Sequence, residues 1–157
     1  MNASRLWAPW RINYIKNIKP RICIFCKARG KKSNDYVILR TKYSLAMLNI
    51  FPYNNGHTLV APLRHVKKIS QLQKREILDL WSTLNKVQAL LDRVLKPEGY
   101  NIGMNISRVA GAGIPGHLHV HIVPRWKADT NFMPVLSDTK IISQSLDELY
   151  KELIKYA

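Results

Sequence analysis

An α+β fold built on a five-stranded antiparallel sheet is predicted for this 157-residue chain, and three observations predict it. His117-Leu118-His119-Val120-His121-Ile122-Val123 alternates at a period of two, the repeat of a β-strand. From Lys74 to Leu95, the residues Ile77, Leu80, Trp81, Leu84, Val87, Leu91 and Val94 recur at helical spacing, and Pro97 and Gly99 stand ready to end the helix. Short segments rich in β-branched and aromatic residues, separated by turn residues, fill much of the remainder. A long helix and a C-terminal helix packed on one side of such a sheet satisfy this order.

The elements follow in turn. Residues 1–20 read as an irregular basic arm, with Trp7, Trp10, Tyr14 and Ile15 available to pack onto the body. Strands are expected at Tyr36–Arg40, Ser44–Asn49 and His57–Pro62, with Pro52-Tyr53-Asn54-Asn55-Gly56 as the turn before the third. After the long helix come strands at Tyr100–Asn105 and His117–Pro124. Ser145–Tyr156 reads as an amphipathic helix, so that residues 21–146 make the core and 147–157 a helical C-terminus of one domain spanning 1–157. A hydrophobic content of 46% at this length suffices for a sizeable core.

Composition narrows the setting. The N-terminus lacks the apolar region of a secretory signal, and no apolar run is long enough to span a membrane. The two cysteines sit in one Cys-X-X-Cys, which is no secreted disulfide framework, so a cytoplasmic protein is expected. Residues 1–75 hold sixteen Lys and Arg against a single acid, Asp35, and this half carries the whole net charge of +15. Such a field attracts polyanions. It suits a short polyphosphate substrate, weak nucleic-acid contact through the basic half, or no more than a lysine-rich solvated surface.

Chemistry is concentrated around the alternating strand. Its period sends His117, His119 and His121 to one face and Leu118, Val120 and Ile122 to the other. Three imidazoles on one sheet face fill a core poorly, but they suit phosphate or metal, because imidazole changes charge near neutral pH. Upstream, Ala110-Gly111-Ala112-Gly113-Ile114-Pro115-Gly116 has the backbone freedom to aim successive N–H groups at an anion. It precedes a strand and lacks a Gly-Lys-Ser/Thr ending, so it is no Walker-type P-loop. Cys23 and Cys26 are spaced as two ligands of a tetrahedral zinc site, although buried free thiols or a redox pair would fit the same spacing.

His117-Leu118-His119-Val120-His121-Ile122-Val123 resembles the signature of the histidine-triad (HIT) superfamily of nucleotide hydrolases and transferases. Leu6-Trp7-Ala8-Pro9-Trp10-Arg11, Gly56-His57-Thr58-Leu59-Val60-Ala61-Pro62 and Asp129-Thr130-Asn131-Phe132-Met133-Pro134-Val135 resemble the branch of diadenosine tetraphosphate phosphorylases and dinucleoside polyphosphate hydrolases. The resemblance implies the HIT fold, a homodimer with continuous sheets, and cleavage of a dinucleoside polyphosphate through a nucleotidyl-histidine. It makes His119 the nucleophile and His121 the donor to the phosphate or leaving group. It places Asn49 at a ribose, Asn101 and Asn105 near the phosphates, and the amides around Gly113 and Ile114 on nonbridging oxygens. His57 orders the site. By resemblance to galactose-1-phosphate uridylyltransferases, His65 and His117 join Cys23 and Cys26 around a structural zinc. Some HIT members carry a polar Gln or Ser in the loop before the triad; here Ala112 to Gly116 is entirely nonpolar, which favours the phosphorylase-like branch.

Overall fold

The computed structural model describes residues 23–30, 35–127, 129–137 and 139–157. The expected N-terminal arm and its tryptophans lie outside them. The elements are α1 (Ile24–Ala28), β1 (Val37–Arg40), β2 (Ser44–Leu48), β3 (Thr58–Pro62), α2 (Lys74–Leu95), β4 (Gly99–Gly103), β5 (Val120–Arg125), α3 (Met133–Ser137) and α4 (Leu146–Leu153). The strands form one antiparallel sheet in the order β1-β2-β3-β5-β4, which puts the histidine strand inside the sheet.

Alternation decides what each face packs against. Ala46, Leu48, Val60, Val120 and Ile122 meet Leu80, Leu84, Val87, Leu90 and Leu91 of α2 and Leu149 and Leu153 of α4. Leu45, Met47, Leu59 and Ala61 point the other way and are covered by Phe25 and Ala28 of α1. β2 and β3 are therefore buried along their whole length. The helix α2 has the bounds expected of it. Gln73 N–H donates to Glu76 Oε2 at 2.8 Å at its start, and Lys96 takes a left-handed φ of 46° just before Pro97. Its apolar stripe is narrower than expected: Trp81 is 54% exposed and Ile77 36%, and Leu90 joins the core instead. None of the described helices is long and apolar enough to cross a membrane.

The ladder of β5 begins at Val120, three residues later than the His117–Pro124 expected. Val60 pairs with Val120, so two pairs further out Pro62 would stand against Leu118. Pro62 has no N–H to offer, and Leu118 N–H donates instead to the carbonyl of Val66 at 2.6 Å. The short helices α1 and α3 were not expected. α4 starts at Leu146 behind Ser145, whose hydroxyl accepts from Glu148 N–H at 3.2 Å.

Gly56 closes the turn into β3 with a φ of +75°, and a Cβ there would stand 2.6 Å from Leu95 Cδ1 and 3.0 Å from Pro124 Cγ. Gly56→Ala is expected to cost about 2–4 kcal/mol, the left-handed backbone and the crowding adding together. Urea denaturation reads the effect, and an unchanged midpoint would contradict it.

Candidate active site and metal cluster

The histidines keep to the face that alternation assigns them. His119 and His121 stand with ring centroids 4.9 Å apart, and Phe25 lies against both His117 (5.0 Å) and His119 (5.1 Å). Leu59 of β3 faces His121 across the ladder, and Gly103 of β4 faces it on the other side.

Hydrogen-bond partners set the tautomer of each ring. His119 Nδ1 lies 2.8 Å from the carbonyl of His117. A carbonyl only accepts, so Nδ1 carries the proton and Nε2 the lone pair. His57 is read from the opposite kind of partner: Tyr53 N–H donates to its Nδ1 at 3.0 Å, as does the Asn49 amide at 3.2 Å. Its proton therefore sits on Nε2, which donates to His121 Nδ1 at 2.9 Å. His121 in turn keeps its own proton on Nε2, a buried atom with no partner in the protein. The site thus holds a bare Nε2 on His119 beside a protonated, unengaged Nε2 on His121.

Electrostatics keep these rings neutral. Burial, with His121 and His119 nearby, pushes His57 down to about 3. Burial and then His119 push His121 down to about 4. Burial also lowers His119, against the opposing pull of the His117 carbonyl.

The other candidate residues surround this pair. Asn49 holds the turn by accepting from Phe51 N–H at 3.0 Å while its amide reaches His57. Asn105 lies beside the glycine loop, its amide nitrogen 3.9 Å from where a Cβ on Gly111 would be. Gly111 and Ala112 turn their N–H groups to the carbonyls of Arg108 and Ser107, and the Ile114 carbonyl accepts from His117 N–H. Gly113 is exposed. Asn101 stands apart from the loop, opposite Val123, where its Oδ1 accepts from Arg125 at 2.7 Å. Sequence reasoning passed over Tyr53, whose ring lies 4.5 Å from that of His57 and stacks on His121 at 5.8 Å and 12°. Its place four residues before His57 was the only available signal.

Cys23, Cys26, His65 and His117 converge, with their donor atoms all within 4.8 Å of one another. His117 Nδ1 lies 3.2 Å from Cys23 Sγ and 3.7 Å from Cys26 Sγ, and His65 Nδ1 lies 3.2 Å from Cys26 Sγ. A tetrahedral zinc with ordinary Zn–S and Zn–N bonds sets sulfur and nitrogen about 3.6 Å apart, so these residues fit a zinc ion. The second ring nitrogen agrees. His117 Nε2–H donates to the Pro62 carbonyl at 2.8 Å, which leaves Nδ1 bare and facing the thiols. Burial and the neighbouring Cys23 push the Cys26 thiol up, a repulsion that a bound cation would relieve.

Fold and site together define a sheet protein with a histidine triad that runs into an interior strand. The HIT domain family profile matches residues 30–128. AP-4-A phosphorylase of Mycobacterium tuberculosis is 34% identical over 153 residues, covering 91% of this chain and 78% of that protein. The asymmetrical bis(5'-nucleosyl)-tetraphosphatase of Schizosaccharomyces pombe is 42% identical over 93 residues, 59% of this chain and 50% of that protein. A histidine triad nucleotide-binding protein from Sulfolobus tokodaii superposes with a TM-score of 0.69 at 26% identity, over 85% of this chain and 90% of its own. The chain belongs to the HIT domain family.

Proposed function

We propose that this protein cleaves dinucleoside polyphosphates such as diadenosine tetraphosphate at an α-phosphate, as a phosphorylase working through a nucleotidyl-His119 intermediate. The observation that carries the reading is the pair of Nε2 atoms, bare on His119 and protonated without a partner on His121. His119 Nε2 attacks the α-phosphorus, forming a P–N bond as the bond to the bridging oxygen breaks. His121 Nε2–H hydrogen-bonds that departing oxygen, as the nonpolar loop from Ala112 to Gly116 has no side chain to do so. Inorganic phosphate then attacks the same phosphorus, releasing ADP and restoring the imidazole. Asn49 binds a ribose, Asn105 and the loop around Gly113 and Ile114 hold nonbridging oxygens, and Asn101 meets phosphates further along the chain. The phosphorylase choice rests on the nonpolar loop, the Asp129–Val135 block and the mycobacterial relative's name.

Zinc on Cys23, Cys26, His65 and His117 supplies a closed structural cross-link with no open position. It ties α1 to the start of the histidine strand. Thiolate ligands suit a reducing cytoplasm. A homodimer is proposed through β4, an edge strand with exposed Asn101, Ile102 and Gly103. Incubating the protein with diadenosine tetraphosphate, with and without inorganic phosphate, tests the reaction. ADP plus ATP marks a phosphorylase, AMP plus ATP a hydrolase, and no cleavage under either condition refutes the reading.

Two further results are expected. Burial lowers the pKa of His119, so its Nε2 stays a free base as pH falls below the usual imidazole value of about 6.5. The acid limb of kcat/KM therefore lies below pH 6.5, and an acid limb with its midpoint at or above pH 6.5 would contradict this. The KM for a tetraphosphate-bridged substrate should also rise with salt, more steeply than for a triphosphate-bridged one, as screening weakens the basic half's attraction. Were that surface instead for nucleic acid, single-stranded oligonucleotides would inhibit at low salt and be released near physiological salt.

A further inference from the structure

A second pocket, of about 380 Å³, opens on the same sheet face just past His121. Tyr53, Asn101, Arg125, Asp129, Thr130 and Lys140 line it. Val123 and Arg125 continue the face of His121 along β5, about 7 Å and about 13 Å further along the strand. The Tyr53 ring, stacked on His121, is the wall the two sites share.

The lining is rich in donors. Asp129 Oδ2 accepts from Arg125 Nε at 2.5 Å and from the Asn54 amide at 2.9 Å, and its Oδ1 lies 3.8 Å from Lys140 Nζ. The Asp129 side chain is 6% exposed, whereas those of Arg125 and Lys140 are 50% and 33% exposed. One buried carboxylate thus holds two accessible cations, leaving one positive charge in excess. Arg125 Nη1 also donates to Asn101 Oδ1, so the end of Asn101 left to a ligand is its NH2 group. Tyr53 and Thr130 add hydroxyls.

We propose that this pocket is an oxyanion subsite that takes a phosphate group beyond the one His119 attacks. The phosphate comes from one of two sources: the distal part of the substrate's polyphosphate chain, or inorganic phosphate acting as acceptor. The proposal rests on the adenylyl-transfer reading above for its role, but not for its binding.

Calorimetric titration of the full chain with tripolyphosphate, and separately with inorganic phosphate, tests the subsite without catalysis. Lys140→Gln should weaken binding of at least one of them about tenfold, and Arg125→Lys, which keeps charge but breaks the fork, should do likewise. His119→Gln should change it less than twofold. Absence of binding, or equal affinity in wild type and both pocket variants, overturns the proposal.

Kinetics then separate the sources. Adenosine 5'-(4-nitrophenyl phosphate) has no distal phosphate. A tenfold rise in KM of Lys140→Gln for diadenosine tetraphosphate, without one for the nitrophenyl ester, assigns the pocket to the substrate's own chain. A raised KM for inorganic phosphate, with products moving from ADP towards AMP, assigns it to the acceptor. Failure of the wild type to turn over either nucleotide would sink the adenylyl-transfer reading, while the titrations would still decide the subsite.

Discussion

His119→Ala is expected to lose at least about 10⁴-fold in turnover of diadenosine tetraphosphate while binding AMP within a few-fold of the wild type. The covalent route needs the lone pair on Nε2, and no other described ring offers it in the same place: His121 carries a proton there and His57 donates from there. The loss is therefore of the nucleophile itself, which in other enzymes costs several orders of magnitude. The glycine loop and Asn105, proposed to hold the phosphates, remain in place, so affinity is expected to survive. Rapid acid-free quenching of the wild type should trap an adenylyl adduct on His119, and the variant should show none. A folded His119→Ala protein with near-normal activity would end the mechanism.

The second large effect is on stability. Purified without chelator, the protein is expected to hold about one zinc per chain, as one four-ligand cluster implies. Where free zinc exceeds its dissociation constant by two to three orders of magnitude, binding contributes about 3–4 kcal/mol. Cys23→Ser should forfeit that, lowering Tm by about 6–16 °C for a chain of this size. The chemical step should suffer less, because the cluster reaches His119 indirectly, through His117 and through Phe25 packed on its ring. The His117 carbonyl accepts a hydrogen bond from His119 Nδ1–H. Metal analysis finding no zinc, or a Cys23→Ser protein as stable as the wild type, would contradict the assignment.

The parts legible in the sequence are those whose cause is local. Alternation alone assigned His117, His119 and His121 to one face, and the stop signals Pro97 and Gly99 located the end of α2. The four candidate metal ligands were legible through a spacing and a resemblance, and the fold brings all four together. What escaped depends on groups that only the fold supplies. The tautomers of His57, His119 and His117 are set by Tyr53 N–H and by the carbonyls of His117 and Pro62. No pattern announces that a carbonyl will face an imidazole. The pocket around Arg125 and Lys140 is equally silent, since Asp129 reads as the start of a block resembling the phosphorylase branch, with no sign that it gathers two cations. Trp81 misled because its helical spacing fitted the stripe, although it lies at the stripe's outer margin and remains half exposed.

One consequence follows from the position of β5 between β3 and β4. A strand with neighbours on both sides cannot fray: its amides are released only when the sheet comes apart. The amides of His121 and Ile122, paired on both sides, should therefore be among the slowest to exchange with deuterated solvent, at rates set by global opening. Heating should then abolish activity in step with unfolding, with no range of temperature in which a folded body carries a melted centre.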